Sequence, residues 1–414
     1  MFRKTRYAQA AVLSLGLGFG SVVNAGGLYI GEESAASNIA YGGVQFVARQ
    51  TDASVVFSNP AGMTSFDKSE LTAGGTLLYL KAPFSTDDDN TVSGKSGRAT
   101  EILALGNAQW VRPLNDKWTF GLHGGNYFGL MLNWGSTWAG RYEANQAIVV
   151  APQIQPTLAY KINDDWSVGA GLGLTIGYLK YKTSIPEPTG DGKLRYSDTD
   201  FAVQPNIGVM FQPSDNTRIS LRYLMETDLD FKDNPSVKSA DGSTSPLDTG
   251  KNLSIGMTMP NQIMGGVWQR VSDRWALLGN VGWEEWTEFG QVDIQISDTS
   301  IDESEDIQAE DTWHVGIGAE YQKSDKLMYT MGASWDSTWQ RDRNRVPQIP
   351  IGSVYRIGGG FKYDKTEDFS WGAGFSIFYE GDLPVKPATN SQGTFSGEYS
   401  NVALYWLSLY GSWR

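Results

Sequence analysis

The chain has 414 residues, no cysteine and a formal charge of −13 at neutral pH. The lack of cysteine excludes a disulfide framework, a thiolate metal site and a cysteine nucleophile, and the acidic balance argues against nucleic acid as a partner. A soluble chain of this length usually divides into two or more domains, but no linker and no change in composition marks such a division.

The N-terminus has the pattern of a secretory signal peptide. Three cations within the first six residues precede an apolar run over 10–19, and small or modest residues occupy positions 23 and 25. The run is shorter than the ~20 residues that a membrane-spanning helix requires. We therefore predict a signal peptide over 1–25, with cleavage after Ala25 and export of the mature chain. Its removal changes the formal charge from −13 to −16, because it takes away three cations and no acid.

Residues 26–66 are rich in Gly, Ala and Ser and show little alternation between apolar and polar side chains. Within them, Asn59-Pro60 indicates a helix start, because Asn caps helices and Pro at the first helical position gives up no N–H that the helix needs. The same pair is also common in simple turns. The motif alone therefore does not decide what this segment does.

Short stretches after residue 66 alternate apolar with small or polar side chains, which is the period of a β-strand. The clearest lies over 166–178, where Trp, Val, Leu and Ile on one face oppose mainly Gly and Ser on the other, and the pattern recurs over 313–321 and 369–379. A lipid-facing barrel wall needs this arrangement, whereas the second face of a soluble sandwich strand would be rich in Lys, Glu and Thr. The glycine-rich face indicates an interior filled by something other than large side chains.

Tight turns and longer loops alternate along the chain. Asn, Asp and Ser suit tight turns, and such turns lie at 113–116, 162–165, 213–216, 271–274, 323–326 and 364–368. The longer loops lie near 83–97, 129–146, 184–198, 232–250, 291–308, 338–350 and 381–397. Six turns and seven loops give fourteen strands, and short turns on one rim with long loops on the other are typical of an outer-membrane barrel. We predict an all-β fold, a 14-stranded antiparallel transmembrane β-barrel over 67–414, closed so that lipid meets no unsatisfied backbone.

The last predicted strand, 398–414, has an apolar face that ends at Trp413 and resembles the C-terminal signal of assembled outer-membrane barrels. Arg414 departs from the aromatic residue that usually ends such barrels. The stretch from Glu32 to Thr64, with Asn59, Pro60 and Ala61, resembles the hatch of the FadL family of outer-membrane long-chain fatty acid transporters. The stretches 259–289 and 333–350 are also similar to that family, so the resemblance covers nearly the whole mature chain.

This resemblance implies a hatch over 26–66 inside the barrel lumen and passive uptake of hydrophobic molecules through a lateral opening in the wall. The family's third strand is interrupted where the wall opens. Here the third strand carries Gly121 and the pair Gly124-Gly125, and paired glycines often mark a bulge. These glycines are our candidates for the lateral opening, and simple packing against the hatch is the alternative.

Apolar side chains at the base of a long loop are the candidates for substrate capture: Leu130, Met131, Leu132, Trp134 and Trp138. An interfacial aromatic girdle is the alternative for this group. Lys180 and Lys182, at the top of the fifth strand, are candidates for pairing with an anionic head group, and solvated loop charges are their alternative. We expect Pro60→Gly to loosen the hatch.

Three other functions compete with transport. A hydrolase needs a nucleophile and a base, and the two histidines, His123 and His314, have no Gly-x-Ser-x-Gly elbow beside them; we expect no catalytic residue, no cofactor and no metal site. A general porin would lack the hatch and conduct ions steadily, and a structural or adhesive barrel would bind no fatty acid. The expected partners of a monomer in the outer membrane are a fatty acid, alkane or aromatic substrate, membrane lipid and lipopolysaccharide, and no nucleic acid.

Overall fold

The computed structural model describes residues 35–44, 47–289, 291–296, 302–306 and 308–414. Fourteen antiparallel strands follow one another round a sheet that closes on itself, because the first strand pairs with both the second and the last. In chain order they are β1 (Glu70–Lys81), β2 (Glu101–Pro113), β3 (Trp118–Asn133), β4 (Gln146–Lys161), β5 (Trp166–Glu187), β6 (Gly190–Ser214), β7 (Thr217–Leu224), β8 (Gln262–Arg270), β9 (Trp275–Glu284), β10 (Thr312–Ser324), β11 (Leu327–Asp336), β12 (Val354–Asp364), β13 (Phe369–Pro384) and β14 (Gly397–Trp413). The predicted 14-stranded antiparallel barrel is confirmed.

The closing seam joins β14 to β1, with Trp413 opposite Leu71 and Ala403 opposite Lys81. Arg414 extends this seam, because its Nε lies 2.8 Å from Oε2 of the buried Glu70 on β1. The residue that departs from the usual aromatic terminus therefore ties the end of the last strand to the start of the first. Closure leaves neither strand with a free edge along this seam.

The six predicted short turns all lie at one rim, where they join β2 to β3, β4 to β5 and so on round the barrel. The prediction of a long loop at 184–198 was wrong. β5 and β6 stay paired as far as Glu187 and Gly190, because Leu194 and Tyr196 keep an apolar face buried while Lys193 alternates on the exposed face. The prolines and glycines of this stretch hid that alternation in the sequence.

The other long connections carry short elements of their own. Thr227–Asp233, Leu253–Met259, Gln291–Ile296 and Asp302–Asp306 form a separate four-stranded antiparallel sheet, and a one-turn helix spans Trp286–Phe289. Smaller strands extend the barrel or its loops: Phe84–Thr86 on β14, Ser236–Lys238 on β6, and the pair Ala388–Asn390 and Gly393–Phe395. In the part of the chain that is described, we find no helix with both the length and the apolar character to span a membrane.

The two faces of the wall differ as the alternation predicts. On β5, Leu172, Leu174 and Ile176 are 42–50% exposed on the outer face, while Ser167 and Thr175 are buried on the inner face. Outward residues elsewhere are more exposed still, with Phe201 at 73%. An exposed apolar band of this extent matches a surface that faces lipid.

Residues 35–44 and 47–66, together named the hatch segment here, lie inside the barrel. They form a 3₁₀ helix over Ala36–Tyr41, one α-helical turn over Val55–Ser58 and a second 3₁₀ helix over Pro60–Ser65. These helices pack against the inner faces of strands on both sides of the lumen. The signal peptide over 1–25 and the part of the predicted hatch before residue 35 lie outside the described residues, so both remain predictions, as does the boundary at residue 66.

Candidate functional site

Polar side chains of the wall hold the irregular backbone of the hatch segment. A buried carbonyl without a hydrogen bond costs free energy, and five strands supply donors at ordinary distances. The bonds are Gln155 Nε2 to Val56 O (3.0 Å), Asn206 Nδ2 to Phe57 O (2.9 Å), Asn280 Nδ2 to Gly43 O (2.9 Å), Ser334 Oγ to Gly42 O (2.6 Å) and Lys362 Nζ to Thr51 O (3.1 Å). Sequence reasoning missed these wall residues, although isolated amides on glycine-rich inner faces were a usable signal.

Glycines on the inner face allow the hatch segment to approach the wall closely. A Cβ on Gly169 would lie 2.5 Å from the carbonyl carbon of Pro60, and one on Gly374 would lie 2.7 Å from the nitrogen of Ala40. Real Cβ atoms do not approach backbone this closely. The predicted filler of the glycine-lined interior is therefore the chain's own N-terminal segment.

The Asn59-Pro60-Ala61 motif starts a helix, as predicted, but the helix is 3₁₀ and not α. Asn59 Oδ1 accepts a hydrogen bond from the Ala61 nitrogen at 3.1 Å, which is the N-cap contact. Asn59 Nδ2 donates to the carbonyl of Val47 at 3.2 Å and to that of Val209 on β6 at 3.3 Å. One buried side chain therefore caps the helix, links two parts of the hatch segment and ties both to the wall.

Asn59→Ala is expected to destabilise the hatch segment by about 1–3 kcal/mol, because it leaves buried backbone groups without partners. The measurement is the temperature of the heat-induced mobility shift of the purified protein in detergent. Asn115→Ala is the matched control, since Asn115 makes the same kind of cap to Lys117 and Trp118 on an exposed turn. An equal shift for both variants would contradict a special role for the motif.

A charged network lies beneath the first 3₁₀ helix. Arg49 and Asp52 form a buried ion pair within the hatch segment, and Tyr41 donates to Oε1 of Glu320 on β10 at 2.8 Å. Trp268 on β8 donates to the other oxygen of Glu320 at 2.9 Å. Breaking such a buried network by removing one partner is costly, so it fixes the hatch segment to β8 and β10.

The two histidines also serve packing. His314 Nδ1 lies 2.8 Å from Asp336, which also pairs with Arg356 at 3.0 Å. His123 stacks on Phe57 with ring centroids 4.7 Å apart and contacts Gln109 at 3.2 Å. Among the described residues, no group of three or more His, Asp or Glu side chains is arranged to hold a metal ion.

The lumen between the hatch segment and the loop rim is filled by packed apolar side chains. The inward positions of β3, β5, β6, β13 and β14 belong to one buried hydrophobic cluster with the loop helix Trp286–Phe289. A general porin has a polar interior, so the lining differs from that of a water-filled pore. Its wall members include Tyr127, Leu130, Leu132, Leu179, Tyr181, Tyr196, Phe378, Leu404 and Trp406.

The wall is incomplete between β2 and β3. Their pairing begins at Pro113–Thr119 and ends at Ala108–Gly124, although β2 continues to Glu101 along β1 and β3 continues to Asn133 along β4. The register of β3 against β4 shifts between Asn126 and Phe128, which is a β-bulge just after the break. Within the described strands, residues 101–107 and 125–133 therefore bound a gap between neighbouring strands, named the wall gap here.

The three candidate glycines occupy different places relative to the wall gap. Gly124 forms the last β2–β3 pair and Gly125 is the first residue beyond it. Gly121 lies below the gap, where a Cβ would collide with Met63 and Val56 of the hatch segment. Gly121 therefore packs against the hatch segment, which was the alternative interpretation of these glycines. The opposite edge, with Leu103, Leu105 and Asn107 on β2, was missed because nothing in its sequence departs from an ordinary strand.

The apolar capture candidates lie inside the loop rim. Leu130 and Leu132 are buried towards the lumen and Met131 is half-buried. Trp134 and Trp138 stack at 5.5 Å and are both buried. Because they pack with Phe84 and Phe395 of other loops and with Tyr399 of β14, they do not form a lipid-facing girdle.

Lys180 and Lys182, the candidates for pairing with an anionic head group, do not face the lumen. Leu179 and Tyr181 on the same strand are fully buried towards the lumen. Since side chains alternate along a strand, Lys180 and Lys182 point outward, in line with Ile176. They cannot reach a molecule in the apolar lumen.

Glu143 lies in the loop between β3 and β4, where burial raises the pKa of its carboxyl to about 7. The folded chain then binds more protons than the unfolded chain between about pH 4.5 and 7, so stability falls as pH rises through this window. In Glu143→Gln we expect the free energy of unfolding to fall by about 1–3 kcal/mol less across this window than in the wild type. Heat-induced mobility shifts measured on both sides of the window check it. Asp88→Asn on an exposed loop position is the control, and an unchanged pH profile in Glu143→Gln would contradict the assignment.

Comparisons with known proteins identify a family and relatives of this chain. The model of a family described as "Outer membrane protein transport protein (OMPP1/FadL/TodX)" matches residues 17–409. The long-chain fatty acid transport protein of Escherichia coli O157:H7 is 23% identical over 380 residues, 82% of this chain and 84% of that one. Outer membrane protein P1 of Haemophilus influenzae is 23% identical over 373 residues, 78% of this chain and 80% of that one.

Solved structures share the fold. A Pseudomonas aeruginosa FadL homologue superposes with a TM-score of 0.82 at 19% identity, over 92% of this chain and 98% of that chain. The Pseudomonas putida toluene transporter TodX superposes with a TM-score of 0.71 at 16% identity, over the same shares of the two chains. The family match over nearly the whole length shows that this chain belongs to the outer membrane protein transport protein (OMPP1/FadL/TodX) family.

Proposed function

We propose that this protein carries hydrophobic small molecules passively across the outer membrane, without catalysing a reaction. Relatives are named for long-chain fatty acids and for toluene, so fatty acids, alkanes and aromatics are the substrate classes to test. The route begins at the long loops, passes through the apolar lumen above the hatch segment and leaves through the wall gap. Export through a signal peptide over 1–25 and action as a monomer are part of the proposal.

The wall gap beside an apolar lumen is the observation that carries this proposal. Tyr127 and Phe128 of β3 line the lumen next to the gap, and Leu103 and Leu105 of β2 pack against the same apolar cluster. A substrate that leaves sideways enters hydrocarbon directly. It thereby avoids re-exposing apolar surface to water, at about 25 cal/mol per Å².

The hatch segment closes the straight route to the turn rim. Its wall contacts run from Asn206 and Val209 on β6 to Lys362 on β12, so it crosses the lumen. We infer that capture involves Leu130, Leu132, Trp134 and Trp138, which lie at the loop end of the lumen. Met131, half-buried on the same strand, is the remaining candidate.

Two measurements on the purified protein test the function against its alternatives. Saturable binding of a fluorescent long-chain fatty acid in detergent is expected, and its absence would favour a structural or adhesive barrel. Small or intermittent single-channel currents are expected in planar bilayers, because the hatch segment fills the pore. A large steady current would favour a general porin.

A further inference from the structure

Five cations form a patch on the outer face of the barrel near the loop rim, although the whole chain is acidic. Lys193, Arg195 and Lys238 are exposed and Lys180 and Lys182 are half-exposed. They are named the basic patch here. Transport of a hydrophobic molecule through the lumen requires no cations at this place, because the lumen lies on the other side of the wall.

The strand register brings these side chains together. Lys182 on β5 lies directly opposite Arg195 on β6, and Lys193 on β6 lies opposite Lys238 of the short strand Ser236–Lys238. Residues opposite each other in antiparallel strands point to the same face. Like charges directly opposite each other on paired strands destabilise a fold. The two cation pairs therefore lower the stability of this barrel, which a bound anion would offset.

The cations of the basic patch have no acidic partner among the described residues. None of the five takes part in an ion pair at 4.0 Å or less within that part of the chain. The nearby Asp191 is bonded to Arg141 at 2.6 Å and to the hydroxyl of Tyr142 at 2.7 Å. The charge of the patch is therefore available to an external anion.

A cavity opens within the patch. Its volume is about 230 Å³, and it lies between the loop that follows β3 and the hairpin of β5 and β6. Lys182, Lys193 and Arg195 line it together with the amides of Asn133 and Gln146 and the hydroxyl of Ser136. Cations with neutral donors round a small concavity are suited to the tetrahedral oxygens of a phosphate.

The basic patch stands directly above the apolar band of the same strands. Leu172, Leu174 and Ile176 on β5 and Phe201 and Val203 on β6 are 42–73% exposed on that face. From Trp166 at the turn rim to Tyr178 the outer face spans about 30 Å along the membrane normal, given a rise of about 3.3 Å per residue and a tilt of about 40°. Lys180 and Lys182 follow at the height where an apolar band of about 25 Å has ended.

We propose that the basic patch binds the phosphate groups of a phosphorylated glycolipid in the outer leaflet, with the acyl chains of that lipid against the apolar band below. Lipopolysaccharide has this chemistry, since its lipid A carries phosphates on an acylated sugar. Charge-assisted hydrogen bonds to phosphate give the affinity. Asn133, which lines the cavity, is the last residue of β3. The same strand bounds the wall gap on its β2 side, so the bound lipid would lie next to the exit.

The test is native mass spectrometry of the full chain in detergent with bis-phosphorylated lipid A. We expect the wild type to bind lipid A, and the triple variant Lys182→Gln/Lys193→Gln/Arg195→Gln to bind it roughly tenfold or more weakly, because three charge-assisted contacts are lost. The control is Lys323→Gln/Lys326→Gln, which removes exposed cations from a turn at the opposite rim. The control is expected to bind lipid A like the wild type.

Three outcomes would overturn the proposal. Equal binding by the triple variant and the control would exclude the patch, and equal binding of dephosphorylated lipid A by the wild type would exclude phosphate recognition. Displacement of lipid A by inorganic phosphate at similar concentrations would show that a free anion, not a lipid, is the ligand. Because the readout is lipid binding, these results are independent of whether the protein transports anything.

Discussion

Replacing Gly332 with valine is expected to displace the hatch segment and to make the barrel leak ions. Gly332 lies on the inner face of β11, where an added Cβ would collide with the carbonyl of Tyr41. That atom belongs to backbone and cannot move away as the end of a flexible side chain can. Ser334, two residues further on, also donates to the carbonyl of Gly42 at 2.6 Å. Overpacking against a fixed neighbour costs about 1–3 kcal/mol or more.

Planar-bilayer conductance measures this effect, and several-fold larger currents are expected for Gly332→Val than for the wild type. Gly359→Val is the matched control, since Gly359 lies on the outer face of the next strand with only the carbonyl of Thr330 near its Cβ position, at 3.7 Å. If both variants assemble and both conduct like the wild type, the hatch segment does not close the pore. The far-ultraviolet circular dichroism of each variant shows whether the barrel has formed.

A bulky label at the wall gap is expected to stop uptake of a hydrophobic tracer. Asn107 is the last β2 residue before pairing with β3 begins, and its buried Oδ1 has no hydrogen-bond partner. The chain has no cysteine, so Asn107→Cys gives a single thiol that reacts after the barrel has assembled. A maleimide carrying a large group would then fill the gap without disturbing folding.

The measurement is the initial rate of tracer uptake by cells or proteoliposomes before and after labelling, and the rate should fall to that of a sample without the protein. Ala333→Cys is the control, because Ala333 lies on the outer face of β11, a strand that is paired with both of its neighbours. A companion variant, Gly124→Val with Gly125→Val, narrows the same gap from β3. Undiminished uptake in the labelled protein, with labelling complete, would place the exit elsewhere.

Several predictions from the sequence proved accurate because they rest on short-range rules. Alternation with period two predicts which residues of a strand share a face, and the exposed Leu172 and Leu174 confirm it for β5. Asn before Pro predicts a helix start, and Asn59 caps one. The turn at 162–165 was predicted from Asn and Asp, and Asn163 Oδ1 accepts from the nitrogen of Trp166 at 2.8 Å.

Two assignments of candidate site residues depended on which way a side chain points. Lys180 was a candidate for pairing with an anionic head group because it lies at the top of the fifth strand, and the alternation of buried and exposed residues shows that it faces away from the lumen. The aromatic pair Trp134 and Trp138 was ambiguous because a girdle and a buried cluster use the same residue types. Only the contacts with Phe84 and Phe395 of distant loops and with Tyr399 of β14 decide between the two.

The sequence by itself determined the strand number, the two faces of each strand and the family, because these depend on local alternation and on motifs that are contiguous in the chain. The tertiary structure decided where the wall is open, since a missing pair between β2 and β3 is a relation between two strands that neither strand's sequence shows alone. It also decided that Gly169 and Gly374 serve the hatch segment, and that five cations from three strands meet on one outer surface. Each of these depends on register, and register is fixed only when the barrel closes.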